Sequence, residues 1–92
     1  MYREHDGVVL LKNLEGSRVF AHGRGKLELI AGKPGVAEGT HGAIVALPNQ
    51  KEFLVELFDS QGDTIGLAEM SAAEVRPTTD ADDPDQVGSE TR

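Results

Sequence analysis

The chain has 92 residues, no cysteine, three histidines and a formal charge of −7, with 38% hydrophobic and 4% aromatic residues. That length holds one domain and buries only about 60–65% of the surface its unfolded form exposes; the lack of cysteine excludes a disulfide framework and any thiolate metal site. No apolar run approaches the roughly 18–20 residues a membrane helix needs, and Met1 to Asp6 lacks the apolar core of a signal peptide, so a soluble, cytoplasmic protein is expected.

In chain order, Asp6 to Leu11 is a short β-branched run that predicts a first strand, and Lys12 to Gly16 supplies a turn. Ser17 to His22 is compatible with a strand, and Lys26 to Ile30 alternates polar and apolar residues. The intervening Gly23, Arg24 and Gly25 suit a tight reversal. These pieces make either a hairpin or a long loop, since Gly32, Pro34, Gly35 and Gly39 come soon after. Beyond Gly39 the pattern sharpens: Gly42 to Leu47 is a strand, Pro48 and Asn49 a turn, Phe53 to Phe58 a strand, Asp59 to Asp63 a turn, and Thr64 to Leu67 the next strand. In the Asp59 turn the carboxylate can accept from amides ahead of it, and Gly62 can take positive φ. Phe53, Val55 and Leu57 share one strand face and Leu54, Glu56 and Phe58 the other, so this strand reads as central and almost two-sided. Phe53 and Phe58 are the expected core anchors in a chain so poor in aromatics. Ser71 and Glu74 have the spacing of a capping box, and Pro77 confines the helical element near residues 71–75 to a single turn, α or 3₁₀.

The charge is unevenly placed. Residues 78–92 hold Asp80, Asp82, Asp83, Asp85 and Glu90 against Arg92 alone, with almost no apolar content, which predicts a disordered acidic tail after a domain at residues 1–77. Such a tail solubilises the protein or engages a basic partner.

Residues that could carry chemistry do not form a recognisable motif. His5, His22 and His41 lack the spacing of metal ligands, and no metal or cofactor is expected. Gly23, Arg24, Gly25 and Lys26 superficially look like a phosphate loop, but Leu27 stands where Ser or Thr is needed and no helix comes after it. Ser17, Ser60 and Ser71 have no nucleophile elbow. Arg18, Arg24, Lys26 and Lys33 can make a local positive patch for an acidic partner, whereas the overall negative charge and scarcity of stacking aromatics argue against nucleic acid. Glu56, polar within an apolar strand, is an outward strand residue, a hydrogen-bond acceptor, or one wall of a cleft with Arg76.

Asp6 to Leu11, Glu38 to Val45 with its Gly-x-x-Gly turn, Phe53 to Gly62, Thr64 and Ile65, and Glu74 to Pro77 together resemble the small bacterial proteins grouped as domain of unknown function 4926. The similarity covers about half of the chain, in order. It implies an SH3-like fold and no established activity; some members are encoded beside toxins, which implies an antitoxin or immunity role. Residues 16–36 are longer here than the short loop the family has, and they make a candidate partner-binding segment.

The expectation is therefore an all-β domain, a small SH3-like, partly open barrel of about five strands, acting as a non-enzymatic protein-binding module. The candidate binding residues are Arg18, His22, Arg24, Lys26, Lys33, Glu56 and Arg76, and exposed strand edges are expected to support a homodimer. The alternative is a small-ligand or enzyme accessory domain whose Glu56 and Arg76 line a pocket.

Overall fold

The alternation of apolar residues with turn chemistry produces nine strands in the computed structural model, which describes residues 1–79. They are β1 (Gly7–Leu10), β2 (Leu14–Glu15), β3 (Val19–Phe20), β4 (Glu28–Ile30), β5 (Lys33–Val36), β6 (His41–Ala46), β7 (Glu52–Phe58), β8 (Thr64–Ser71) and β9 (Val75–Pro77). Single 3₁₀ turns lie at Gly16–Arg18 and Ala72–Glu74. The protein is all-β: a six-stranded sheet in the order β3-β8-β7-β6-β1-β9 and a three-stranded sheet in the order β2-β5-β4. Every pairing is antiparallel, and the sheets do not close into a barrel. Four of the nine strands are only two or three residues long and fall before Lys33 or after Ser71, which accounts for the excess over about five. No helix among the described residues is long and apolar enough to cross a membrane. The acidic tail lies, from residue 80 on, outside the described residues.

Register explains which side chains make the core. Val19 pairs with Ala68, Ala68 with Val55, and Val55 with Ile44; one pleat further along, Leu57 faces Gly42, which faces Val8. All these side chains share the inner face, where Val8, Ile44, Val55, Leu57 and Ala68 are fully buried. The three-stranded sheet adds Leu14 and Val36, which are paired to each other and buried in the same cluster. Phe53 is an inner anchor as expected, 2% exposed, with Tyr2 edge-on to it at 4.7 Å between ring centroids. Phe58 is not: it lies on the outer face of β7, half-buried and apart from the core cluster, because side chains in a strand alternate and Phe53 already fixes the inward phase.

The turns obey their local chemistry. Asp59 Oδ1 accepts from the amides of Gln61 and Asp63, both at 2.9 Å, and Gly62 has φ of 86°. Asn49 Oδ1 likewise accepts from Lys51 and Glu52 in the β6–β7 turn. The capping box forms, with the Ser71 amide donating to Glu74 Oε1 at 2.9 Å.

Residues 16–36 differ from both readings of them. Gly23 to Gly25 makes no reversal and Val19–Phe20 does not pair with Glu28–Ile30. β3 instead pairs with β8, while β4 forms its hairpin with β5 around Ala31 and Gly32. The Lys12 to Gly16 turn likewise contains β2, and Leu11 lies outside β1, 47% exposed.

Candidate functional site

β8 is eight residues long and needs a partner on the side away from β7. Residues 18–25 supply it from Thr64 to Glu69. The Gly25 amide donates to the Thr64 carbonyl at 2.8 Å and the Gly23 amide to the Ile65 carbonyl at 3.1 Å; β3 pairs with Leu67 and Ala68; the Arg18 guanidinium donates to the Glu69 carbonyl at 2.7 Å. Gly23 and Gly25 are thus sites of close backbone approach. A Cβ at Gly23 would collide with the Thr64 carbonyl oxygen, and one at Gly25 would stand 2.9 Å from that of Asp63.

Arg18 is also engaged within the chain. Its Nη1 and Nη2 donate to both carboxylate oxygens of Glu74, at 2.6 and 3.0 Å, a two-pronged pairing that joins the first 3₁₀ turn to the second. Lys12 Nζ lies 3.6 Å from the same carboxylate. The hydrogen bonds from Arg18 hold the Glu74 carboxyl down at about 2 against a desolvation that pushes it up, and the Ser71 amide assists.

Laying β3 beside β8 also shapes the outer face of the six-stranded sheet. Phe20 sits opposite Leu67, and Leu54 opposite Glu69 on one side and Ala46 on the other. Phe20, 45% exposed, together with Leu54, Ala46, Leu47 and Pro48, lines an open groove of about 850 Å³. Exposed Glu52 and Glu69 border it, and the Arg18–Glu74 pair adjoins it. An accessible apolar surface with a few charged groups around it is the usual form of a binding groove.

The other candidate residues are dispersed. His22, Arg24, Lys26 and Lys33 lie on residues 16–36; His22, Arg24 and Lys33 are exposed, as is most of that segment. Lys26 borders a second cleft, about 710 Å³, between the two sheets, where it shares the lining with Glu28, Glu38, His41 and Asp59. Lys33 faces Ile30 at the β4–β5 turn. Glu56 Oε2 accepts a 2.6 Å hydrogen bond from Thr64 Oγ1, which accounts for a carboxylate in the middle of β7. Arg76 lies on β9, across β1 and β6 from β7, and donates to the Pro77 carbonyl at 3.1 Å. None of the three described clefts holds both Glu56 and Arg76. No cluster of three or more His, Asp or Glu among the described residues is arranged to hold a metal ion.

The groove residues were missed by sequence reasoning because Phe20 belongs to a two-residue strand whose partner is 47 positions away. The available signal was Leu54, an apolar residue on the outer face of β7. No family model, curated protein or solved structure matches this chain.

Proposed function

We propose that this chain is a non-enzymatic protein-binding module that receives a basic partner on the outer face of its six-stranded sheet. The observation that carries this reading is the groove itself: a half-exposed Phe20 with Leu54 and Leu47 as its apolar lining, and Glu52 and Glu69 at its border. Apolar lining supplies affinity, and carboxylates select a partner carrying Lys or Arg. The net charge of −7 acts in the same direction at long range, accelerating encounter with a cationic protein. The engagement of Glu56 by Thr64 and the dispersal of Glu56 and Arg76 favour this over the accessory-domain alternative. An antitoxin- or immunity-like role is its most concrete form and comes from the sequence resemblance alone.

Selection of a displayed random-peptide library on the immobilised full-length chain tests the reading. Enriched peptides are expected to combine a bulky apolar residue with Lys or Arg, to bind Phe20→Asp at least tenfold more weakly, and to lose affinity as salt rises. Peptides that bind Phe20→Asp and Glu52→Lys/Glu69→Lys as well as the native chain would overturn it.

A further inference from the structure

The sheet edges are not equally guarded. In the six-stranded sheet the edge strand β3 is only two residues long, and the other edge, β9, ends in Pro77, which has no amide to offer. Of the two edges of the three-stranded sheet, β2 is only two residues long, and β4, the longer, has no such device. Its centre is Leu29, 77% exposed, flanked by Glu28 and Ile30.

The register fixes what this edge presents. Ala31 and Gly32, at φ of 51° and 81°, form a two-residue hairpin loop closed by the Ile30–Lys33 pair. In such a hairpin the closing pair exchanges hydrogen bonds, so the next pair, Leu29 with Pro34, does not. The Leu29 amide and carbonyl accordingly both point away from β5. Pro34, with no amide, is compatible with that phase. No backbone hydrogen bond from a turn or loop among the described residues reaches the outer side of β4.

We propose that two copies of this chain associate through β4, antiparallel, with Leu29 on the two-fold axis. The two Leu29 residues then exchange both N–H···O bonds, which sets their Cα atoms about 5.5 Å apart and brings the exposed side chains into contact. The same register places Glu28 of each copy beside Ile30 of the other, with Lys33 one strand beyond on the same face. That is about 10 Å between the Glu28 and Lys33 backbones, a gap two long side chains of opposite charge close. The surface is thus complementary to itself in hydrogen bonds, apolar contact and charge, as a two-fold interface requires. Its small size makes the association weak and concentration-dependent.

Sedimentation of the full chain between about 10 μM and 1 mM, the range suited to such an interface, is expected to rise toward twice the 9.8 kDa chain mass. Leu29→Glu should remain monomeric. Glu28→Lys should weaken association, and Glu28→Lys with Lys33→Glu should restore it. The chain has no cysteine, so Leu29→Cys is a single-thiol probe. Mild oxidation should convert it to covalent dimer, because the Cα spacing falls within disulfide range, whereas Leu11→Cys, exposed elsewhere, should not. All these positions are exposed, so the variants fold. A chain that stays monomeric throughout, or equal cross-linking of the two cysteine variants, would overturn the proposal. None of these substitutions lies in the Phe20 groove, so loss of dimer and loss of peptide binding are separable.

Discussion

Arg18 and Glu74 are 56 positions apart, yet each answers a need the other has: a guanidinium fork with five donors and a carboxylate already committed to a capping box. Because the folded Glu74 carboxyl titrates near 2 rather than 4.5, its contribution to stability is present above about pH 4.5 and is lost as pH falls toward 2. The full shift corresponds to roughly 3 kcal/mol. Arg18 is 36% exposed in its side chain, so solvent reduces the effect to about 1–2 kcal/mol. Arg18→Ala is expected to destabilise the fold by that amount at pH 7 and much less at pH 2, measured by urea denaturation at both. An equal loss at both pH values would mean that packing of the side chain, not the charge pair, is responsible. Of this pair the sequence showed only the Ser71–Glu74 half, since a capping box is local; nothing adjacent to Arg18 indicates where its guanidinium goes.

Among elements, residues 16–36 show how a strand edge decides the path of a weak segment. Read alone, Gly23 and Gly25 suggest a reversal, because glycine most often serves a turn. Here they serve a close approach to β8, and the segment runs on instead of turning back. The backbone groups of β8 that point away from β7 need partners, and that need outweighs the preference of a three-residue loop. Gly23→Ala should lift this segment from β8 at a cost of about 1–3 kcal/mol, typical of forced overpacking. Hydrogen exchange should accelerate at the Gly23 and Gly25 amides while β6 amides keep their protection relative to global unfolding. Unchanged protection at Gly23 would show that the approach is less tight than described. The starts of β7 and β8 were readable for the opposite reason: each follows a turn whose hydrogen bonds come from its own Asn or Asp, whereas the end of β8, expected at Leu67, lies at Ser71.

For the whole molecule the margin is small, roughly 5–10 kcal/mol for a domain of this size, and the aromatic contribution to the core rests mainly on Phe53. Phe53→Ala is expected to cost about 3–5 kcal/mol, enough to remove most of the cooperative thermal transition, whereas Phe58→Ala, on the outer face, should cost about 1 kcal/mol. Calorimetry of the two variants checks this; similar losses would mean that the outer face is packed as tightly as the inner one. The all-β class, β6, β7, the first half of β8 and the turns between them were legible in the chain, because period-two alternation and Asx chemistry act over a few residues. Which of the two phenylalanines faces inward, where residues 16–36 run, the Arg18–Glu74 pair and the groove around Phe20 emerged only on folding. Each depends on which strand edge is left unpaired once the central hairpins have formed, and that is a property of the assembled sheets.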